Sequence, residues 1–352
     1  MHHLDPYERP PDGIRNVYKK YQKMKLNDLD LDGDIIDLSS DASASSSGRV
    51  RVVREYTAED LTAIFQAFAG EDGVELQDMD IPRSIPVYEH EDMPGLHIIP
   101  SLLPPSVQST LLSHLLHRDL SNPSHLTNIH THYKLSYPSS QSSFFSVPPT
   151  CPSPVAHPLD PTVHKPLSIL QLLNKKLRWT TLGGQYDWTA KRYPATPPPA
   201  FPSDAKKLLE SLFTSTKAEA AIVNLYSPGD TLSVHRDVAE SSGTGLVSVS
   251  LGCDAIFVLG TSVPKKGEEG KEEEEGSEEK IVTLRLRSGS VVYMSGESRF
   301  AWHGVPQIVG GTCPEYLIDW PARTDGQTSL YEEWRGWMRN KRINLNVRQM
   351  WD

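Results

Sequence analysis

The chain has 352 residues, of which 38% are hydrophobic, so its length suits one or two domains with a substantial core. Its formal net charge of −10 argues against a uniformly basic surface, although local patches of charge can still attract phosphate. Three widely spaced cysteines exclude a disulfide framework and a C-x-x-C zinc motif, and no apolar run is long enough to span a membrane.

Residues 1–50 combine a basic segment with a Ser-rich flexible linker. Basic residues between Arg15 and Lys25 interleave with tyrosines, which predicts one basic helix within residues 1–30. Such a helix either grips a phosphate backbone or lies on the surface with solvated lysines. The Ser-rich run over 37–48 is typical of a linker without regular structure.

Residues 51–120 predict a helical extension that packs on the core. Thr57 and Asp60 form a capping-box pattern at the start of a helix that places apolar residues on one face. A second helix is predicted over 106–117, with its leucines directed inward.

Residues 121–166 are rich in Ser, Pro, Thr and His and show little periodicity, which predicts an insertion or a lid. Within this stretch, His125, His130 and His132 have no carboxylate or cysteine at ligand spacing, so we expect no metal site there.

Residues 167–352 predict a β-rich domain. A helix from Ser203 precedes a series of short strand patterns separated by Gly-containing turns. The predicted strands are 220–226, 231–235, 246–251, 255–259, 281–287, 290–294, 317–320 and 343–348. So many short strands indicate a sandwich or jelly roll. The fold class is therefore α+β with a mainly β core and N-terminal helices, interrupted by a solvated acidic loop at 265–280.

Within that domain, His235 and Asp237 lie at positions i and i+2, so both side chains point to one side of a strand. A second histidine, His303, occurs much later in Trp-His-Gly. Two neutral imidazoles and one carboxylate form the facial triad of non-haem Fe(II) oxygenases. A histidine near an aspartate is more often a surface pair than a metal site, so this motif needs support from the rest of the chain.

The C-terminal strand supplies that support, because its alternate residues carry cations and amides. One face bears Arg342, Asn344, Asn346 and Arg348, and the other bears Ile343, Leu345 and Val347. A guanidinium can hold a carboxylate through two parallel hydrogen bonds, so two arginines suit a dicarboxylate such as 2-oxoglutarate. The alternative is a solvated edge strand protected by charged residues.

Four motifs now stand in an order that resembles the AlkB family of Fe(II)- and 2-oxoglutarate-dependent dioxygenases. They are Asn224-Leu-Tyr226, His235-Arg-Asp237, the run 295–304 and Arg342-x-Asn344-x-x-x-Arg348. The stretch 177–188 and the long interval between His303 and Arg342 resemble the branch typified by the first human AlkB homologue. The similarity runs from about Gly95 to the C-terminus.

This resemblance implies a double-stranded β-helix, with Fe(II), 2-oxoglutarate as cosubstrate and O2. It implies that His235, Asp237 and His303 are the metal ligands and the catalytic centre. It also implies that Asn224 and Tyr226 help to hold 2-oxoglutarate. Arg342 would bind the distal carboxylate of the cosubstrate, and Arg348 with Asn344 would serve the end that chelates iron.

The substrate side rests on aromatic residues. Trp179, Tyr186 and Trp188 lie in the segment that contributes to the lid over the base in AlkB relatives, although aromatic residues on strands are also common in cores. Many repair-type members have a second aspartate two positions after the triad aspartate. Here that position is Ala239, followed by Glu240, which we include among the expected substrate contacts.

The resemblance implies oxidative demethylation of N-methylated bases, with 1-methyladenine in tRNA favoured over DNA N-methyladenine or oxidation of methylcytosine. A protein hydroxylase or demethylase and a catalytically silent binding module are the alternatives. The unpaired cysteines and the absence of a signal-peptide pattern indicate the cytoplasm and/or nucleus. We also expect a monomer that binds nucleic acid and no membrane. A mitochondrial location stays open.

Overall fold

The computed structural model describes residues 4–38, 49–70, 79–139, 142–188, 190–264, 277–325 and 328–351. Its α-helices are α1 (Asp12–Lys23), α2 (Leu26–Leu29), α3 (Ala58–Ala69), α4 (Pro105–Ser113), α5 (Ile169–Gln171), α6 (Ser203–Leu212) and α7 (Glu315–Ile318). The predicted linker over 39–48 and the acidic residues 265–276 lie outside the described residues. No helix in the described ranges is both long and apolar enough to cross a membrane.

The described residues form two main sheets and two small two-stranded sheets. The strands are β1 (Ile35–Ile36), β2 (Val50–Thr57), β3 (Ser84–His90), β4 (Met93–Ile99), β5 (Tyr133–Leu135), β6 (Ala156–Pro158), β7 (Trp179–Gly183), β8 (Ala220–Tyr226), β9 (Leu232–His235), β10 (Leu246–Gly252), β11 (Asp254–Pro264), β12 (Ser277–Leu286), β13 (Val291–Met294), β14 (Trp302–Val309), β15 (Arg323–Asp325), β16 (Thr328–Leu330) and β17 (Arg342–Arg348). An eight-stranded sheet has the order β2-β3-β4-β13-β10-β17-β8-β7, and a five-stranded sheet has the order β1-β12-β11-β14-β9. Apart from the parallel pair β1 and β12, the pairings within both sheets are antiparallel. This is the predicted jelly roll.

The alternation predicted for β17 decides what each face of the larger sheet does. Ile343, Leu345 and Val347 are buried in the same apolar cluster as the leucines of α4 and α6. The intervening Arg342 and Asn344 line a cavity together with residues of the smaller sheet. Because side chains alternate along a strand, one face packs under helices while the other is free to bind a ligand.

The N-terminal segment packs on the smaller sheet. Helix α1 buries Ile14, Tyr18 and Tyr21, and its apolar face joins Ile256 and Val258 of β11. The Glu279 carboxylate accepts hydrogen bonds from the first N–H groups of this helix, at Ile14 (2.9 Å) and Gly13 (3.3 Å). The tyrosines of α1 are therefore unavailable for stacking on a base, whereas Lys19 and Lys23 of the same helix remain exposed.

Glu279 also corrects the extent predicted for the acidic loop. Residues 277–280 belong to β12 and pair with β11 instead of forming a solvated loop. The pairing satisfies backbone groups that a loop would leave to water.

The extension predicted as helical over 51–120 is only partly so, because β2, β3 and β4 of this stretch join the eight-stranded sheet. The Thr57–Asp60 capping box is present at the start of α3. The strand predicted over 317–320 is wrong, because Glu315–Ile318 form a short helix that follows Pro314. Periodicity cannot distinguish a strand from a helical turn in so short an apolar run. Within 121–166, Phe144 and Phe145 are buried in the main core, so this stretch packs on the fold.

Candidate active site

The three predicted metal ligands converge at one end of the smaller sheet. His235 ends β9 and pairs in register with His303 near the start of β14, while Asp237 follows two residues after β9. One potential ligand atom from each residue lies within 4.8 Å of the others. The His235 Nε2 atom is 3.6 Å from Asp237 Oδ1, and His303 Nε2 is 3.9 Å from Asp237 Oδ2. This arrangement fits a single metal ion.

The backbone fixes the orientation of both imidazoles. His235 Nδ1 lies 2.9 Å from the carbonyl oxygen of Ser233, and His303 Nδ1 lies 3.0 Å from that of Ala301. Each Nδ1–H therefore donates to a carbonyl two residues earlier, which turns the lone pair of Nε2 toward Asp237. Ligand histidines in metalloproteins are usually held in this way.

The charges of the triad also suit a divalent cation. Burial and the neighbouring His235 lower the pKa of His303 to about 4, so this imidazole is neutral at physiological pH. Burial opposes ionisation of Asp237, but the charge of Arg348 and the neighbouring His235 hold its pKa well below the usual value. Burial likewise lowers the pKa of His235, and the Asp237 carboxylate more than offsets this and raises it.

An inner cavity lies between the two sheets beside His303. Arg342 enters it from β17, and its guanidinium donates to Ser250 Oγ (2.7 Å) and to the carbonyl oxygens of Cys253 (3.1 Å) and Leu286 (3.3 Å). Burial lowers the pKa of Arg342 to about 10, which leaves it charged at neutral pH. A buried cation of this kind requires an anionic partner.

Two unpaired donors on neighbouring strands fit the same anion. Arg342 Nε and the Tyr226 hydroxyl are buried, and within the described ranges neither has a hydrogen-bond partner. These two residues are opposite each other on β17 and β8. Buried polar groups are normally satisfied, so this pair of donors fits one carboxylate of a bound dicarboxylate.

The amides beside Arg342 are held by neighbouring strands. Asn344 Nδ2 donates to Ser248 Oγ (2.8 Å) and to the Val249 carbonyl (3.1 Å), while Asn224 Nδ2 lies 3.4 Å from Asn344 Oδ1. The expected 2-oxoglutarate residues of β8 and β17 are therefore brought together. The hydrogen bonds within the protein fix the rotamers of Asn224 and Asn344.

Arg348 is placed closer to the metal site than the sequence suggested. Its guanidinium lies 3.2 Å from Asp237 Oδ2 and 3.1 Å from Glu240 Oε1, and the side chain is buried. Arg348 therefore contacts the triad carboxylate directly, and its buried Nε has no hydrogen-bond partner among the described residues.

Glu240 is a correction to the expected substrate contacts. Its side chain is 1% exposed and pairs with Arg299 (3.2 Å) as well as with Arg348. It is absent from the lining of the outer cavity, because it lies beneath Arg348. Glu240 thus holds Arg299 and Arg348 in place and does not line the cavity in which we expected it to contact a substrate.

Arg299 was not singled out by sequence reasoning, although it lies in the run 295–304. Its buried guanidinium donates to the carbonyl oxygens of Thr244 (2.8 Å) and Asp237 (3.0 Å) and pairs with Glu240. It therefore fixes the backbone at a metal ligand. The one signal in the sequence was the apolar Phe-Ala-Trp that follows Arg299, which indicates a buried stretch. A charged residue in such a stretch is seldom fully buried unless it is paired.

An outer cavity of about 410 Å³ opens onto the other side of the triad. Tyr186 and Trp188 line it together with His235, Asp237 and Arg348. The rings of Tyr186 and Trp188 meet edge to face, with their centroids 4.8 Å apart. Trp179 packs against Trp188 at 5.5 Å but is not part of the described cavity wall. The volume lies in the range of small-molecule sites.

Comparison with known proteins agrees with this geometry. The sequence profile of the 2OG-Fe(II) oxygenase superfamily matches residues 95–348. The chain is 48% identical over 361 aligned positions to the N6-methyladenosine RNA demethylase ALKB1 of Pyricularia oryzae, which covers 99% of this chain and 98% of the relative. It is 37% identical to the tRNA demethylase abh1 of Schizosaccharomyces pombe, over 81% and 86% of the two chains. It is 31% identical to the nucleic acid dioxygenase ALKBH1 of Homo sapiens, over 54% and 49%.

Proposed function

The chain belongs to the 2OG-Fe(II) oxygenase superfamily, in its AlkB branch, and from this premise we propose that it removes methyl groups from methylated adenine in RNA. Its cofactors are Fe(II) and 2-oxoglutarate. The observation that carries the proposal is the outer cavity, in which Tyr186 and Trp188 face the triad. Two aromatic side chains beside a metal centre suit a base that has been turned out of its stack.

The residues of this chain would divide the reaction between the two cavities. His235, Asp237 and His303 would hold the ion, while Arg342 and Tyr226 would bind the distal carboxylate of 2-oxoglutarate. When bound, the ion and 2-oxoglutarate allow dioxygen to oxidise a methyl C–H bond, and the N-hydroxymethyl group leaves as formaldehyde. Arg348 would keep Asp237 ionised and oriented toward the ion.

The outer cavity would orient the base. Burial raises the pKa of Tyr186 to about 12, so its phenol remains a neutral hydrogen-bond donor at physiological pH. Trp188 offers a ring face for stacking, and Trp179 supports that ring from behind. Hydrogen bonds to the base edge combined with stacking are the usual way in which an extruded base is held.

Two finer substrates follow from different observations. N6-methyladenosine in RNA is the substrate named for the Pyricularia relative, which matches nearly the whole chain. 1-Methyladenine in tRNA follows from the branch resemblance, and the Schizosaccharomyces relative is named a tRNA demethylase. We propose RNA in preference to DNA on the strength of both relatives.

The test is release of succinate and formaldehyde from the Fe(II)-loaded protein, with product bases identified by mass spectrometry. Matched single-stranded RNAs carry N6-methyladenosine or 1-methyladenosine, and a tRNA, a duplex DNA and a methylated peptide complete the panel. We expect loss of the methyl group from at least one RNA and none with His235→Ala. Turnover of the peptide alone would identify a protein-modifying oxygenase, and preferential turnover of duplex DNA would contradict the RNA assignment.

A further inference from the structure

Residues Asp5–Glu8 form a short turn, here called the N-terminal strap, at the mouth of the outer cavity. Asp5 shapes the turn by accepting hydrogen bonds from the backbone N–H of Tyr7 (2.8 Å, side chain) and of Glu8 (3.2 Å, backbone). Pro6 lines the same cavity as His235 and Asp237. A segment more than two hundred residues away in sequence thus supplies part of the substrate wall.

An ion pair anchors the strap beside the metal ligands. The Glu8 carboxylate accepts a hydrogen bond from the guanidinium of Arg236, the residue between His235 and Asp237. Arg236 in turn lies over the ring of Trp302, 4.3 Å from its centroid. The anchor is 12% exposed on the arginine side, so its position is defined by packing and charge.

Lys191 meets the strap from the opposite side of the mouth. Its Nζ donates to the Pro6 carbonyl oxygen (3.0 Å) and lies 3.8 Å from the centroid of the Tyr7 ring. Its backbone has φ of 50°, a left-handed conformation that a lysine adopts only when its surroundings enforce it. Lys191 also lines the outer cavity, so this strained residue holds its ammonium group at the entrance.

Two aromatic rings remain exposed at this entrance. Tyr7 is 65% exposed and Trp188 is 44% exposed. Single exposed aromatic residues are ordinary on protein surfaces. Here both rings belong to segments that line one cavity, and the Lys191 ammonium group lies over the Tyr7 ring. The two rings and the cation therefore lie together at one entrance.

We infer that Tyr7 and Lys191, the mouth platform, bind the nucleotide adjacent to the methylated base in single-stranded RNA. Exposed rings stack on bases of any sequence, and a neighbouring cation binds the phosphate that links two nucleotides. A base inserted in the outer cavity requires its strand to cross this entrance. The inference rests on the proposed function and adds the strand adjoining the reacting base as the ligand.

Binding is measured by fluorescence anisotropy, with the anaerobic Fe(II)- and 2-oxoglutarate-loaded protein and a five-nucleotide single-stranded RNA carrying one methylated adenosine. Tyr7→Ala should weaken binding about tenfold, because stacking on one base is lost, whereas Tyr7→Phe should retain it. Lys191→Ala should reduce the slope of log affinity against log salt by about 0.7, the value for one single-strand phosphate. Lys207→Ala, an exposed lysine on α6, is the matched control and should change neither quantity.

A second measurement separates substrate contact from structural support. The ratio of kcat/KM for the five-nucleotide RNA to that for the free methylated nucleoside should fall in Tyr7→Ala and Lys191→Ala. An equal loss for both substrates, unchanged RNA binding in both variants, or tighter binding in Tyr7→Ala would each overturn the mouth platform. If RNA binding depends on Tyr7 and Lys191 but no RNA loses its methyl group, the proposed function fails and the platform stands.

Discussion

The inner and outer cavities meet at the same triad but are built in different ways. The inner cavity is enclosed by strands, and its Arg342 and Asn344 already donate to neighbouring strands. The outer cavity combines strand residues such as Ile222, Leu232 and Arg348 with the loop that carries Trp188 and Lys191 and with the N-terminal strap. His303 lines the first cavity, and His235 and Asp237 line the second. Strands thus hold the residues expected to bind the ion and 2-oxoglutarate, and loop segments are added only on the side proposed to meet the substrate.

The largest effect is expected where the two cavities meet. His303→Ala removes one of three protein ligands and should reduce 2-oxoglutarate-dependent turnover at least about 100-fold, since even indirect supports of metal ligands contribute 10–100-fold. Succinate formation and Fe(II) binding measure the loss. His157→Ala, an exposed histidine on β6, is the control and should have ordinary activity. Ordinary iron binding in His303→Ala would remove this residue from the site.

The support behind the outer cavity is the next most sensitive. Glu240→Ala leaves Arg299 and Arg348 buried without their shared carboxylate, which should lower the free energy of unfolding by about 3–5 kcal/mol. Glu240→Gln keeps a hydrogen-bond acceptor and should lose less. Denaturant unfolding measures the change, with the exposed Glu333→Ala as control. A fully stable Glu240→Ala with altered substrate preference would restore Glu240 as a substrate contact.

The inner cavity should respond through the cosubstrate. Arg342→Ala loses a desolvated charged contact worth about 2–5 kcal/mol, so the 2-oxoglutarate concentration needed for half-maximal turnover should rise by at least about 30-fold. Arg342→Lys keeps the charge but not the paired donors, so its 2-oxoglutarate requirement should lie between those of the unmodified protein and Arg342→Ala. Titration of 2-oxoglutarate at saturating iron gives the result, and Fe(II) binding should persist. An unchanged cosubstrate requirement would show that another cation binds the distal carboxylate.

The smallest effect concerns the helix that follows the strap. Glu279→Ala removes the carboxylate that caps α1 and should cost about 1 kcal/mol of stability, the usual contribution of an N-terminal cap. Denaturant unfolding detects this change. Glu278→Ala, an exposed neighbour on β12, is the control. Because the strap leads directly into α1, Glu279→Ala should weaken the affinity for RNA more than the affinity for 2-oxoglutarate. A larger loss of 2-oxoglutarate affinity would show that the position of the strap does not depend on α1.

Patterns with a short period carried most of the information in the sequence. Alternation along β17 predicts that Arg342 and Asn344 share one face, and both side chains line the inner cavity. The ligand atoms of His235 and Asp237 also lie close together as the i and i+2 spacing predicted, although β9 ends at His235 and Asp237 lies outside the strand. Such patterns are reliable because the geometry of one strand fixes where its neighbouring residues point.

Tertiary structure decided which charged and aromatic residues are accessible. Tyr18 and Tyr21 of α1 are buried, and Glu240 and Arg299 form a buried pair. The i, i+4 and i+7 spacing of Ile14, Tyr18 and Tyr21 marks one face of α1, but the strands that cover this face, like the partners of Glu240 and Arg299, belong to distant parts of the chain. The contact between Glu8 and Arg236 joins residues separated by 228 positions. The sequence therefore determined the chemistry along each strand, whereas the wall that would meet the substrate arose only when distant segments packed together, because burial and charge pairing act between neighbours in space.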